Sequence, residues 1–142
     1  MATCGPDHVE WVKSLGADEV IDYTKTDITQ WAAGQGHKAD IAIDCIGRKA
    51  LEDAWWVVKE GRTLISIFKP PEGLKPAGLE NNIKTVFFIM ETNGEQLQKV
   101  TGLIEGGTAK PALDSAFPFD QFQEAFKRVA SGKMRGKVVF AK

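Results

Sequence analysis

A chain of 142 residues with 43% apolar side chains is long enough for one compact domain that buries roughly 68–70% of its unfolded surface. Its 18 basic and 19 acidic residues leave a formal charge of −1 with no block of like sign, which gives neither nucleic acid nor an anionic membrane an electrostatic foothold. No run of about 18 apolar residues is present, and Met1 to Gly5 lacks the basic start and apolar stretch of a signal peptide, so a cytoplasmic protein with two free thiols, Cys4 and Cys45, is expected.

Gly5-Pro6 opens a helix with proline at its first position, and Val9, Val12 and Leu15 recur at three-residue spacing until Gly16 stops it, which predicts a helix over about 7–15. Val20 and Ile21 form a short strand. Thr26 caps a second helix that turns Ile28, Trp31 and Ala32 inward and ends at Gly34-Gln35-Gly36. The run Ala39 to Ile46 is a strand punctuated by Gly47, followed by a helix with Leu51, Ala54, Trp55 and Val58 on one face that Glu60-Gly61 closes. Thr63 to Phe68 has the continuous apolar character of a strand covered on both faces. Three prolines and two glycines between Lys69 and Gly78 read as a loop without regular structure.

Ile83 to Met90 is the next strand, and Asn93 caps a helix with Gln96 in the capping-box position and Leu97, Val100, Leu103 and Ile104 inward, ended by Gly106-Gly107. Ala112 to Phe119 is extended and edge-like. Asp120 then caps a helix with Phe122, Phe126 and Val129 inward, Gly132 ends it, and Lys137 to Phe140 is a last strand. Short β-rich runs alternating with amphipathic stretches predict an α/β domain with a mostly parallel sheet.

Four phrases carry a family likeness: K-S-L-G-A-D-E-V-I-D-Y at 13–23, A-D-I-A-I-D-C-I-G at 39–47, N-G-E-Q-L at 93–97, and F-P-F at 117–119 with R-G-K-V-V-F at 135–140. In this order the chain resembles the C-terminal portion of the medium-chain dehydrogenase/reductase superfamily, in the quinone oxidoreductase and enoyl reductase branch that lacks catalytic zinc. The resemblance implies an incomplete, doubly wound Rossmann sheet without its first strand and glycine-rich turn. It assigns 1–110 to the NAD(P)-binding domain and 111–142 to a return helix and strand of the catalytic domain, together one unit. Ala2-Thr3-Cys4 then stands as the remnant of the second Rossmann strand. A dinucleotide's diphosphate is normally held by backbone N–H groups of the absent turn and the helix behind it. In the order 3-2-1-4-5-6 the absent strand is the middle one, so both its neighbours are left with unpaired backbone.

By the same resemblance Cys4, Gly5 and His8 lie where the adenosine ribose is read, and no acidic side chain ends that strand, which favours NADP over NAD. For His8 two readings stand, a phosphate contact and an ordinary exposed residue, and for Tyr23 an adenosine-side contact and a tyrosine bounding a turn. Cys45, Ile46 and Gly47 end a parallel strand, the place where such sheets bind ligands. Ile67 and Phe68, with Phe87 and Phe88, match positions bordering the nicotinamide; for the aromatic side chains, core packing is the competing account. Lys137 faces the cofactor or is a solvated strand-end lysine. Trp11, Trp31 and Trp55 read as core, while Trp56 marks a contact surface. Asp22, Asp40 and Asp44 come without a histidine or cysteine cluster, and no metal site is expected.

Two functions follow. One is the cofactor-domain portion of an NADP-dependent oxidoreductase reducing a quinone, enone or related small-molecule carbonyl, inactive as an isolated chain and without a catalytic acid or base of its own. The other is a noncatalytic interaction module. Ile83 to Met90 resembles the family's dimerisation edge, so a homodimer is expected.

Overall fold

The computed structural model describes residues 1–34 and 38–142, which fall into two compact units, Met1–Met90 and Glu91–Lys142. Gln35 and Gly36 of the expected 34–36 turn lie outside the described residues.

The first unit runs β1 (Ala2–Cys4), a 3-10 turn (Pro6–His8), α1 (Val9–Ser14), β2 (Val20–Asp22), α2 (Ile28–Gly34), β3 (Ala39–Asp44), α3 (Arg48–Val57), β4 (Val58–Ser66), a second 3-10 turn (Pro71–Leu74) and β5 (Lys84–Phe87). Every pairing is parallel. β1 pairs with β2, and separately β3, β4 and β5 form one sheet in that order. β1 and β3 thus each keep an edge without a strand partner among the described residues, the consequence expected of an absent central strand.

The core lies between α3 and the three-stranded sheet: Leu51 and Trp55 of α3 meet Val58 and Leu64 of β4 and Ile83, with Ala42, Leu74 and Leu79 against them. Each large apolar side chain covered this way contributes about 1.5–3 kcal/mol. Trp55 keeps its polar edge satisfied by donating from Nε1 to the Pro71 carbonyl at 3.2 Å.

Several sequence expectations are corrected here. The cap of α2 is Asp27, not Thr26: its Oδ1 accepts from the Thr29 N–H at 2.8 Å, because a carboxylate one residue nearer the helix outcompetes the hydroxyl. Glu60-Gly61 does not close α3, which ends at Val57. Val58 already pairs with Ala39, and Gly61, at φ +73°, lies in an irregularity where β4 passes from Val58 to Thr63 while β3 advances from Ala39 to Ile41. The proline-rich segment is not structureless: Pro70 and Pro71 preset the backbone for the 3-10 turn, and Pro71 is buried. The strand expected over 83–90 ends at Phe87, leaving Phe88, Ile89 and Met90 exposed beyond it.

In the second unit, α4 (Gly94–Glu105) begins where Asn93 accepts the Gln96 N–H at 2.9 Å and stops at Gly106. Its apolar stripe is not inward: Leu97, Val100, Leu103 and Ile104 are all exposed. β6 (Leu113–Pro118) pairs in parallel with β7 (Lys137–Ala141), and α5 (Phe122–Ala130) packs on that pair. Asp120 lies inside a 3-10 turn (Phe119–Gln121) and does not cap α5. Phe122, Phe126 and Val129 are exposed and Ala125 is the buried residue, because a two-stranded sheet is too narrow to cover a wide apolar face. Asp114 ties this unit together by accepting from Arg128 Nε at 2.7 Å and from the Arg135 N–H at 2.8 Å.

Candidate functional site

The carboxyl ends of β3, β4 and β5 finish level. Asp44 stands opposite Ser66, and Ser66 opposite Phe87, so the turns that follow open at one end of the sheet. This register brings Cys45, Ile46 and Gly47 beside Ile67 and Phe68, with Phe87 and Phe88 at the outer strand. Cys45, Ile46, Ile67, Phe68 and Phe88 are exposed, Ile46 to 71% of its surface, and Phe87 is half-buried.

Gly47 adopts φ +75°, a region L side chains rarely enter, and a Cβ there would stand 2.0 Å from the Phe68 ring. The glycine therefore admits a side chain from the neighbouring turn and locks the two turns face to face. Arg48, next in the chain, also takes a positive φ of 54°. Asp44, read from sequence only as a member of a carboxylate set, is the buried residue beneath both turns. Neither it nor Ser66 was singled out as a site residue; the aspartate two and three positions before Ile46 and Gly47, in reach of their N–H groups, is the signal that points to it.

The ends of β1 and β2 form a second cluster. Cys4 pairs in register with Asp22, the Tyr23 N–H donates to the Cys4 carbonyl at 3.2 Å, and a Cβ on Gly5 would meet the Tyr23 hydroxyl at 3.4 Å. Tyr23 is exposed. Burial first, and the Asp22 carboxylate second, push the Cys4 thiol above its ordinary pKa, which keeps it neutral. Asp22 itself is held below the ordinary carboxylate range, chiefly by the Thr24 hydroxyl at 2.7 Å and also by its N–H and by Lys25. His8 sits in the 3-10 turn with its ring edge-on to Trp11, centroids 6.1 Å apart. Lys137 is exposed at the start of β7, in the other compact unit.

The three aspartates do not converge. Asp22 serves its own turn, Asp40 pairs on the surface with Lys59 at 3.0 Å and Arg62 at 3.1 Å, and Asp44 is buried against Ser66. Among the described residues, no three His, Cys, Asp or Glu side chains gather closely enough to hold a metal ion, and no helix is long and apolar enough to cross a membrane.

A dinucleotide fits this chain in part. The two clusters of exposed turns lie at the carboxyl ends of parallel strands, where α/β sheets receive ligands, and β1 itself ends in Cys4-Gly5 without an acidic side chain, the neighbouring Asp22 carboxylate being engaged by Thr24 and Lys25 of its own turn. A glycine-rich turn for the diphosphate is not among the described residues.

Comparison with known proteins places these features. The family model described as "Zinc-binding dehydrogenase" matches residues 15–140. The "Probable zinc-binding oxidoreductase, mitochondrial" of Arthroderma benhamiae is 52% identical over 141 residues, covering 98% of this chain and 43% of that protein. The "NADPH-dependent alkenal/one oxidoreductase, chloroplastic" of Arabidopsis thaliana is 34% identical over 140 residues, covering 97% of this chain and 32% of that protein. The solved structure of the quinone oxidoreductase from Coxiella burnetii superposes with a TM-score of 0.81 at 20% identity, over 97% of this chain and 43% of that one, a likeness of fold. The chain thus spans less than half the length of these relatives. The zinc in the family's description finds no matching donor set among the described residues, where Cys4 ends β1 and Cys45 follows β3, a strand of a different sheet.

Proposed function

The chain belongs to the zinc-binding dehydrogenase family of the medium-chain dehydrogenase/reductase superfamily, and from that membership we propose that it is the C-terminal cofactor-domain portion of an NADP-dependent oxidoreductase acting on a quinone, enone or related conjugated carbonyl. The observation that carries the reading is the level finish of β3, β4 and β5, which opens the 45–47 and 67–68 turns and Phe87-Phe88 at one sheet end.

The cofactor, when bound, supplies the hydride. The first unit's own residues would bind and orient it: Cys4, Gly5 and Tyr23 at the adenosine end with His8 toward the phosphate, Cys45, Ile46 and Gly47 in contact with the cofactor at a strand end, and Ile67, Phe68, Phe87 and Phe88 bordering the nicotinamide. The absence of a carboxylate at the end of β1 supports NADP over NAD, in keeping with the NADPH dependence named for the Arabidopsis relative. In this reading the hydride transfer requires no catalytic acid or base from the described residues.

Titration of NADPH against the purified chain, followed by nucleotide fluorescence, tests this. Saturation is expected only above the micromolar range, with no turnover of a quinone or enone, because the diphosphate lacks its cradle of N–H groups. Micromolar saturation with turnover would overturn the expected inactivity. Cytoplasmic residence belongs to the same reading, and subcellular fractionation distinguishes it from the mitochondrial and chloroplast locations named for the relatives.

A second reading, a noncatalytic module that dimerises, is favoured by one feature. β5 is the outer strand of its sheet, and exposed Phe88, Ile89 and Met90 continue the apolar segment 83–90. A homodimer through this edge is compatible with either function.

A further inference from the structure

Four backbone N–H groups from two different turns converge on two buried side chains. Asp44, the last residue of β3, accepts at Oδ1 from the N–H groups of Ile46 at 3.1 Å and Gly47 at 2.9 Å. Its Oδ2 accepts from the Ser66 hydroxyl at 2.9 Å, and Ser66 Oγ in turn accepts from the Phe68 N–H at 3.1 Å and, more distantly, from that of Lys69 at 3.5 Å. Asp44 is 6% exposed and Ser66 0%, so neither side chain lies at the open face of the turns. A backbone bond from the Ile67 N–H to the Asp44 carbonyl at 3.1 Å and the Phe68 ring over Gly47 complete the junction. Among the described residues, the hydroxyl is the side-chain link between the carboxylate that organises one turn and the N–H groups of the other. Buried polar pairs of this kind polarise one another and hold a single arrangement, and an unmatched member is costly.

We propose that Asp44 and Ser66 are a pair of positioning residues for the nicotinamide nucleotide: their hydrogen bond makes the 45–47 and 67–69 turns one rigid ligand-facing unit. The proposal rests on the cofactor reading above. It makes a demand that a purely local role for Ser66 does not. Deleting the hydroxyl should loosen the N–H groups of Ile46 and Gly47, which Ser66 does not touch, because the Asp44 carboxylate loses the partner that fixes its orientation.

The test is amide hydrogen exchange by NMR on the full chain and on Ser66→Ala, with Leu79→Ala as a control that perturbs the same core away from the turns. NADPH is then titrated to millimolar concentration against each and followed by amide shifts. Ser66→Ala is expected to raise exchange at Ile46, Gly47 and Phe68 by about tenfold, the equivalent of one buried hydrogen bond, while Leu64 is unchanged. The NADPH dissociation constant is expected to weaken by a similar factor in Ser66→Ala and to stay within about twofold in Leu79→Ala. Unchanged exchange at Ile46 and Gly47, or an NADPH affinity equal to wild type, overturns the proposal. Should Ser66→Ala not fold, Asp44→Asn keeps an acceptor for the first turn and withdraws the one for the Ser66 hydroxyl, so Phe68 should then exchange faster. A wild-type chain with coupled exchange but no NADPH-induced shifts overturns the cofactor reading while supporting the junction itself.

Discussion

At the scale of single residues, one glycine and one aspartate show how far the local surroundings govern what a position tolerates. Gly47→Ala meets both a positive φ and the Phe68 ring at 2.0 Å, so we expect a loss of at least about 1–3 kcal/mol from backbone strain alone, measured by urea unfolding. Asp114 behaves differently. The Arg128 guanidinium first, and then the Arg135 N–H, hold its carboxyl far below the usual range. A proton therefore binds the unfolded chain more readily than the folded one in acid. Stability of the second unit should be full above the unfolded aspartate value, near about 3.9, and should decline as pH falls from there through the lower folded value. Asp114→Asn should remove that decline, as followed by acid titration of circular dichroism. Gly47 was legible in sequence as a strand-ending glycine. That its space belongs to Phe68, 21 positions away, was not, because the contact exists only once β3 and β4 lie side by side.

At the scale of elements, the same apolar periodicity has two outcomes. The face of α3 carrying Leu51 and Trp55 meets a three-stranded sheet and is covered, whereas the equally periodic stripe of α4 stays open. Trp55→Ala should thus cost about 3–5 kcal/mol, while Leu97→Gln, at a side chain 67% exposed, should change stability by no more than about 0.5 kcal/mol. Paired denaturation curves with equal slopes check both. Periodicity identified α1, α3, α4 and α5 and the strands between them, since it reports which side chains share a face. It did not report whether a partner surface exists for that face. Capping is legible at Asn93, where the side chain does accept the Gln96 N–H, but not at Thr26, whose place the Asp27 carboxylate takes, nor at Asp120, which lies within a 3-10 turn.

At the scale of the whole molecule, β1 and β3 each keep an edge without a strand partner among the described residues, and β5 is the outer strand of its sheet. If the chain assembles through β5, light scattering should give twice the 15.6 kDa chain mass, and Val86→Lys, which places a charge on that edge, should return the monomer. A wild-type monomer at high concentration counts against the assembly. The parallel α/β architecture, the family and the order of elements were all determined by sequence alone, because they depend on patterns a few residues long and on phrases spread along the chain in a set order. Which turns meet, and that Asp44 and Ser66 join them from below, was decided by tertiary structure alone. Strand register sets two residues 22 positions apart opposite each other, and no periodicity within either segment carries that information.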